Sequence, residues 1–363
     1  MSWTCGIIGL PNAGKTTIFN ALTAGQAEVA PYPFCTIKPN TGVVPIPDPR
    51  LLRLQELLKP QKLTPATIEF VDVAGLIEGA SRGEGLGNQF LGHIREVDLL
   101  VHVVRGFDHQ SCPHPLSGVD PVRDVEVVET ELLLADLELL GRQRLKLEKR
   151  AKAGDKLAAA ALPTLARVEA GLDRGTWARN LHLDPGEREQ LHHVPLLTMK
   201  PCLFVANLSE TELAGGAHYQ ALQALAAARR WPVVPILGDL EAELQAFAPE
   251  ERREFLAAVG LTETGMDRLV RESIRLLGLV TFYTIVGPEV RAWHVPAGTP
   301  APKAAGRVHS DMEKGFIRAE VMPFTALDEL GSASQVREAG RLQVEGRDYR
   351  VVDGDILLFR FQR

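Results

Sequence analysis

The sequence predicts an α/β fold in which a parallel sheet is interrupted by a helical insertion and followed by a small, mostly β domain. Three observations predict it. Apolar runs typical of strands buried on both faces of a sheet occur at 5–10, 98–104 and 201–210. Residues 122–195 instead show apolar side chains at helical spacing. From residue 279 onward, short strand-like runs alternate with turn signals.

The first strand leads into a glycine-rich loop and then a helix. Gly9 to Thr16 reads G-L-P-N-A-G-K-T, which fits G-x-x-x-x-G-K-[ST], and a helical pattern follows at Ile18. In this motif backbone N–H groups close around phosphate oxygens at a helix N-terminus. Lys15 would reach the β- and γ-phosphates, and the Thr16 hydroxyl would hold Mg²⁺. A chance glycine-rich turn would not require the strand before it and the helix after it, so we expect a nucleoside triphosphate as ligand.

Composition is ordinary for a globular protein. The 363 residues, 45% of them hydrophobic and 24% charged, suffice for two or three domains. Gly9 and Pro11 break the N-terminal apolar run, which argues against a signal peptide or a membrane span. The four cysteines lie far apart without a C-x-x-C pair, which argues against a zinc site or a disulfide framework. We expect a cytoplasmic protein.

Two further segments supply candidate magnesium and γ-phosphate contacts. The loop at 31–42 contains Thr36, in the place where small G proteins carry a threonine that completes the Mg²⁺ shell. An apolar strand at 67–71 ends in a D-x-x-G motif. Its Asp72 would hold Mg²⁺ through water, and the Gly75 N–H would contact the γ-phosphate. Three oxygens, from Thr16, Thr36 and Asp72, are thus the predicted metal ligands.

The residue that orients the attacking water is missing from its usual place. Leu76 stands where Ras-like enzymes carry a glutamine. Two other groups could supply the contribution that this glutamine makes to hydrolysis. Asn12 matches an asparagine with which some related NTPases hold K⁺ beside the phosphates. His114 lies in a polar loop rich in proline and glycine, which would allow it to swing over the site; His93 and His109 are weaker candidates.

The base-reading segment departs from that of G proteins. A strand ends in Asn207-Leu208-Ser209-Glu210, where G proteins carry N-K-x-D. The aspartate of that motif accepts two hydrogen bonds from guanine, so a longer Glu210 should weaken guanine discrimination. Leu208 offers an apolar face to either purine. The next strand ends in Gly238-Asp239-Leu240 instead of S-A-K, a second departure in the same direction.

The helical stretch 122–195 is predicted to be a hairpin inserted into the nucleotide domain. Apolar residues have helical spacing in 124–150 and again in 157–172, where Pro163 should kink or end the helix. Residues 141–156 carry seven basic side chains against two acidic ones, which suggests contact with a phosphate backbone. A solvated helix face explains the same charges equally well. The basic residues singled out are Arg142, Arg144, Lys146, Lys149, Arg150 and Lys152.

Motifs along essentially the whole chain resemble the YchF family, also called Obg-like ATPases. They are GLPNAGKTT, PFCTIKPNTGVVP, DVAGLIEGASRGEGLGNQFL, NLSE, EVRAWHVPAGTPAPKAAGRVHSDMEKGFIRAEV and EGRDYRVVDGDILLFRF. The resemblance implies a P-loop NTPase domain of the translation-factor class, a coiled-coil insertion and a C-terminal TGS domain of β-grasp type. It also implies a preference for ATP over GTP and association with the ribosome or its RNA.

The resemblance assigns roles to individual residues. Phosphate contacts fall on Asn12, Ala13, Gly14, Lys15, Thr16 and Thr17, magnesium on Thr36 and Asp72, and the base on Asn207, Leu208 and Glu210. Gly238 and the 324–336 stretch are less typical of the family. The expected division is an NTPase domain in two parts (1–121 and 196–278), the helical insertion (122–195) and the TGS domain (279–363).

The function expected from these observations is a slow regulatory ATP hydrolase that uses Mg²⁺ and signals through its switch loops to its helical and TGS domains, which are expected to contact the ribosome or its RNA. Two alternatives stay open. One is a GTPase with relaxed base specificity, and the other is a nucleotide-gated binding module with negligible turnover. We expect a monomer that does not bind membranes.

Overall fold

The chain folds into two compact units. The structure is a computed structural model that describes residues 2–23, 40–73, 86–109, 112–244, 247–258 and 261–362. One unit comprises Met1–Val44 and Glu69–Leu269, and the other comprises Pro45–Ile68 and Val270–Arg363.

The described residues contain twelve strands and fifteen α-helices. The strands are β1 (Thr4–Ile8), β2 (Asn40–Pro45), β3 (Lys62–Thr64), β4 (Thr67–Asp72), β5 (Leu99–Gly106), β6 (Cys202–Leu208), β7 (Val233–Ile236), β8 (Leu279–Val286), β9 (Glu289–Pro296), β10 (Phe316–Pro323), β11 (Gln343–Glu345) and β12 (Asp355–Phe361). The helices are α1 (Lys15–Thr23), α2 (Pro49–Leu58), α3 (Leu86–Glu96), α4 (Pro121–Lys152), α5 (Lys156–Asp173), α6 (Pro185–Leu191), α7 (Glu210–Leu213), α8 (Ala217–Arg229), α9 (Gly238–Leu244), α10 (Pro249–Ala258), α11 (Gly265–Leu276), α12 (Ala301–Val308), α13 (Ser310–Lys314), α14 (Phe324–Leu330) and α15 (Ala333–Glu338). None of the helices in this described part is long and apolar enough to span a bilayer.

The first unit is built on a six-stranded sheet with the order β2-β4-β1-β5-β6-β7. β1 pairs in parallel with β4 and β5, and β5, β6 and β7 continue the parallel arrangement. Every residue of β5 and β6 is buried, as expected of central strands covered on both faces. The α/β prediction is confirmed. Because β1, β4, β5, β6 and β7 are parallel, their carboxyl ends lie at one edge of the sheet, where loops can form a site.

The helical insertion consists mainly of α4 and α5. Asp120 caps α4 by accepting hydrogen bonds from two backbone N–H groups, and proline occupies the first helical position. α5 spans 156–173, close to the predicted 157–172, and buries Leu165 and Val168 together with Leu140 of α4. Of the two outcomes expected at Pro163, an end of the helix is wrong, since α5 continues through it, and a kink stays a prediction. The lost backbone hydrogen bond costs about 3 kcal/mol, but apolar side chains are buried on both sides of the proline, which favours continuation.

The second unit is a mixed sheet with the order β11-β10-β12-β8-β9-β3. β8 and β9 are antiparallel, as are β10 and β12, whereas β12 and β8 run in parallel. These four strands account for the short strand-like runs predicted from residue 279 onward. Two buried clusters pack around them, one with α12 and the other with α2 and α14. The predicted small mixed β domain is confirmed.

Residues 45–68 belong to this second unit, although the sequence placed them in the NTPase domain. β3 pairs in parallel with β9, and Leu51 and Leu54 of α2 are almost fully buried in the unit's core. The Tyr283 hydroxyl donates to Asp48 at 2.6 Å. Arg50 forms two hydrogen bonds, of 2.7 and 3.2 Å, with Asp353. The rest of the expected four-part division stays a prediction.

Candidate nucleotide-binding site

The glycine-rich loop connects β1 to α1 at the carboxyl edge of the first sheet. Its backbone takes positive φ at Gly9 (144°), Asn12 (63°) and Gly14 (92°). A Cβ on Gly9 would lie 2.3 Å from the Val103 carbonyl oxygen, and one on Gly14 would lie 2.1 Å from Asn207 Nδ2. Glycine is therefore favoured at both positions because neighbouring atoms leave no room for a Cβ and because the backbone has a positive φ angle. The predicted strand, loop and helix are all present.

Lys15 lies at the start of α1 and is only 7% exposed. Its Nζ donates a hydrogen bond to the Leu10 carbonyl oxygen at 2.7 Å. Burial lowers the pKa of Lys15 to about 8, and the nearby Asp72 carboxylate opposes that shift. The ammonium group thus sits in a place where its charge is poorly compensated by the protein alone.

Two of the predicted magnesium ligands meet beside Lys15. The Thr16 hydroxyl of α1 donates to Asp72 Oδ2 at the end of β4, at 3.0 Å. Burial raises the pKa of Asp72, while the hydrogen bond from Thr16 and the charge of Lys15 lower it. A hydroxyl and a carboxylate are oxygen donors of the kind that Mg²⁺ takes, the remaining positions being filled by water and phosphate. No group of three or more His, Cys, Asp or Glu side chains arranged for a metal occurs in the described stretches.

A cavity of about 430 Å³ opens between the glycine-rich loop and the ends of β5 and β6. Asn207, 4% exposed, donates from Nδ2 to the Ala13 carbonyl oxygen at 3.1 Å and so joins the end of β6 to the loop. Leu208 is 5% exposed and lines the cavity. Glu210 instead begins α7, is exposed and is not a lining residue. The residues that line the cavity are Asn12, Gly14, Lys15, Thr16, Thr17, Phe107, Asp108, His109, Cys112, Asn207, Leu208, Ser209 and Gly238.

Arg105 organises the wall of this cavity, and the sequence analysis missed it. The residue is 2% exposed, and its guanidinium group donates to the carbonyl oxygens of Phe107 (2.9 Å), Cys112 (2.8 Å) and Asn12 (3.3 Å). It also lies 4.6 Å from the centre of the Phe107 ring. The available signal was an arginine that directly continues the apolar run at 98–104, where a charged side chain must be paired if it is buried.

His114 does not occupy the position that the sequence suggested. Its side chain is 5% exposed, and Nε2 lies 2.7 Å from Asp124 Oδ2 in the first turn of α4. Nδ1 accepts the backbone N–H of Leu116 at 3.1 Å. The imidazole is held on both sides, so the idea of a freely swinging ring is wrong for this structure. His109, ranked lower, lines the cavity, whereas His93 lies on α3 and does not.

Comparisons with known proteins agree with this architecture. The 50S ribosome-binding GTPase family profile matches residues 4–135, and the YchF-GTPase_C profile, described as a protein of unknown function, matches residues 279–362. The ribosome-binding ATPase YchF of Escherichia coli O157:H7 is 45% identical over 99% of this chain and 99% of its own. The protein of the same name from Bacillus subtilis (strain 168) is 43% identical over 99% of this chain and 100% of its own. The chain belongs to the YchF family.

Solved structures give the same family and fold. The Schizosaccharomyces pombe YchF GTPase superposes with a TM-score of 0.87 at 31% identity, covering 99% of this chain and 98% of that one. A GTP binding protein from Pyrococcus horikoshii OT3 matches at 20% identity with a TM-score of 0.63 over both full chains, which supports the fold alone. The predicted resemblance to YchF proteins is confirmed.

In this YchF-family chain the predicted site residues fall into three groups. Those that the structure brings together in one cavity, or directly beside it, are Asn12, Ala13, Gly14, Lys15, Thr16, Thr17, Asp72, Asn207 and Leu208. Glu210 and His114 are described but do not line the cavity. Thr36, Gly75 and Leu76 lie outside the described residues.

Proposed function

We propose that the protein is a slow regulatory ATPase that cleaves ATP to ADP and phosphate and acts as a nucleotide-dependent switch on the ribosome. One observation carries the proposal. Lys15, the Thr16–Asp72 pair and the end of β6 meet at one cavity, with leucine at the position where G proteins cover guanine with lysine. The arrangement offers charge for a triphosphate at one end and an apolar surface for a purine at the other.

The phosphate end would work by position and charge. Backbone N–H groups at the N-terminus of α1 would bind the β-phosphate, and Lys15 would leave the Leu10 carbonyl to reach the β- and γ-oxygens. Thr16 and Asp72 would hold Mg²⁺, with Thr36 as the third predicted ligand. The metal would neutralise charge that develops on the phosphates. Gly75 stays the predicted γ-phosphate contact.

The part of the cavity that would bind the base favours ATP because it lacks the groups with which G proteins recognise guanine. Leu208 supplies no ammonium group, and Glu210 is exposed at the start of α7, away from the cavity lining. Guanine would therefore find no positioned carboxylate for its N1–H and N2–H₂ groups, whereas adenine needs none there. The name ribosome-binding ATPase belongs to relatives 43–45% identical to this chain. The S. pombe structure bears the name GTPase, which keeps GTP hydrolysis as the second candidate.

A competition titration separates these two activities. ATP and GTP compete for a fluorescent nucleotide on the purified protein, and we expect ATP to bind more tightly. The double variant Leu208→Lys, Glu210→Asp should move the preference toward GTP, and Glu210→Asp alone serves as its control. Equal or tighter binding of GTP by the parent protein would overturn the ATP assignment.

Two candidates are proposed for the missing contribution of the glutamine that orients the attacking water: the His114 side chain and a K⁺ ion held by Asn12. His114 can act only after it leaves Asp124, so its use would require a rearrangement at the start of α4. Asn12 could instead hold K⁺ beside the phosphates, but its Nδ2 donates to the Pro113 carbonyl oxygen at 3.0 Å. Both sources are thus linked to residues 113–124, which lead into the helical insertion.

Ribosome contact is proposed for the helical insertion and the C-terminal unit. Of the six basic residues singled out in α4, the three arginines (Arg142, Arg144 and Arg150) form ion pairs with carboxylates of the insertion and are named here the patch arginines. The three lysines (Lys146, Lys149 and Lys152) are exposed and are named here the patch lysines. Because the arginines are partly neutralised, we assign RNA contact chiefly to the lysines.

Single-turnover hydrolysis with and without ribosomes tests the switch. We expect slow hydrolysis by the protein alone and a changed rate on ribosomes. Hydrolysis at the uncatalysed rate under both conditions, with nucleotide-dependent ribosome binding retained, would establish a binding module instead of an enzyme. A cytoplasmic location and a monomeric state remain part of the proposal.

A further inference from the structure

A small cavity lies at the base of the helical insertion, far from the nucleotide site. Arg179, in the 3-10 helix Ala178–Asn180, and Arg188, in α6, face it. The cavity has a volume of about 140 Å³, and none of its lining residues carries a carboxylate. Those residues are Ala178, Arg179, Leu181, Leu183, Arg188 and Met199.

The cavity is distinct from the nucleotide site because the two are associated with opposite ends of β6. Met199, which lines the small cavity, lies just before the start of that strand at Cys202. Asn207 and Leu208, at the other end, line the nucleotide cavity. A seven-residue strand spans roughly 20 Å at about 3.3 Å per residue.

Arg179 has no protein partner in the described part of the chain. Its Nη1 atom is buried and makes no hydrogen bond, and the side chain takes part in no ion pair there. Burial lowers the pKa of Arg179, and the guanidinium nevertheless stays charged at any physiological pH. Arg179 as a whole is partly buried, and a partly buried cation without a counter-ion lowers the stability of the fold unless an anion joins it.

Two other arginines of the same unit have carboxylate partners. Arg167 makes two hydrogen bonds of 2.7 and 2.8 Å to Glu187, and Arg229 lies 2.8 Å from Glu129. Arg188 also has no carboxylate partner within the described stretches, but its side chain is exposed and its Nε donates to the Leu183 carbonyl oxygen at 3.2 Å. Two guanidinium groups without a carboxylate partner thus line one cavity, Arg179 partly buried and Arg188 exposed to solvent.

We propose that this cavity binds a phosphate group, with Arg179 as the principal ligand and Arg188 as the second cation. A single water molecule needs only about 10–15 Å³ of such volume, so the space admits a larger ligand. The planar fork of a guanidinium group matches two phosphate oxygens. The phosphate can come from free inorganic phosphate or from the backbone of an RNA strand.

Thermal unfolding of the full chain tests the site. The Lys15→Met background removes the main phosphate-binding side chain of the nucleotide site, and sodium phosphate is compared with sodium chloride at equal ionic strength. Phosphate should raise the Tm of Lys15→Met, and adding Arg179→Met should abolish that rise. In chloride Arg179→Met should raise the Tm, because it removes an uncompensated charge. A purely structural arginine would lower the Tm in both salts.

Arg167→Met is the matched control in the same background. It breaks an existing ion pair, so it should lower the Tm in both salts and leave the phosphate-induced rise intact. A rise that is independent of Arg179, or no rise in Lys15→Met itself, would overturn the proposal.

A second measurement identifies the source of the phosphate. Binding of a single-stranded RNA oligonucleotide is measured against salt concentration with and without Arg179→Met. A decrease of about 0.7 in the slope of log K against log salt assigns one RNA phosphate to the site. An unchanged slope, together with a lost response to inorganic phosphate, assigns free phosphate. A Tm rise through Arg179 with polyglutamate but none with phosphate would refute the phosphate assignment.

Discussion

Replacing Arg105 by methionine should weaken ATP binding without unfolding the protein. The guanidinium group holds three carbonyl oxygens of the cavity wall, at 2.8, 2.9 and 3.3 Å. Hydrogen bonds to charged groups contribute about 1.5–3 kcal/mol each. Counting only the two shorter bonds at the lower limit, since the freed carbonyls near the cleft can contact water, gives about 3 kcal/mol.

That energy would appear largely as disorder of the wall at Phe107 and Cys112. If only the ordered wall binds nucleotide, the apparent affinity falls with the population of that state, and 1.4 kcal/mol corresponds to a factor of ten. We therefore expect the Kd for ATP to rise by about 10- to 100-fold. Arg105→Lys should also weaken binding, because one ammonium group cannot reproduce the fork that reaches three acceptors.

Isothermal titration calorimetry with ATP, paired with urea unfolding, checks this prediction. Arg50→Met is the matched control, because Arg50 pairs with Asp353 inside the other unit. It should lower stability while leaving the Kd for ATP within twofold of the parent. A Kd within twofold for Arg105→Met would refute the argument that Arg105 shapes the binding site.

Three further predictions concern the same molecule. Burial lowers the pKa of Lys15 to about 8, and a bound phosphate favours its charged form, so ATP binding at pH 8.5 should take up a proton and should weaken as the pH rises above 8. Calorimetry in buffers of different ionisation enthalpy measures the proton uptake. Proton uptake that persists in Lys15→Met would contradict the prediction. His114→Ala should lower ATP turnover at least about tenfold at unchanged affinity, and Asp124→Asn, which loosens the ring, should raise it. Normal turnover of His114→Ala in sodium buffer with strong activation by potassium would instead favour the ion at the glycine-rich loop. Reversing the charge of each patch lysine should reduce the slope of log K against log salt for ribosome binding by about 1. Reversing the charge of each patch arginine should reduce that slope by less, because these arginines are paired with carboxylates. Equal reductions for lysines and arginines would contradict the assignment of RNA contact chiefly to the lysines.

Local patterns predicted most of the secondary structure and the phosphate end of the site. The strand at 5–10, the turn at Gly14 and the helix after it follow from apolar runs and glycine geometry within a few residues of each other. The position of Asp72 beside Thr16 could be predicted because parallel strands end at the same edge of the sheet, where the glycine-rich loop leads into α1. These features need no knowledge of distant parts of the chain.

Features that depend on distant or competing contacts were missed. Residues 45–68 join the second unit through pairing of Lys62 with Glu289, which no local pattern indicates. His114 looked mobile because its neighbours are turn formers, but Asp124, ten residues later, holds its ring. Arg105 gains its role from backbone carbonyls, whose positions are set only by the folded loop.

The membership of Pro45–Ile68 in the second unit has a consequence for synthesis of the chain. About 200 residues separate this segment from Val270, where the rest of its unit begins. At 5–20 residues per second, Leu51 and Leu54 leave the translating ribosome roughly 10 to 40 s before their partner strands exist. Until then the apolar face of α2 cannot pack into the core of its unit, so the nascent chain passes through a period when it is prone to aggregation. A fragment limited to 279–362 would have the converse defect, since its sheet would lack the helix that covers part of one face.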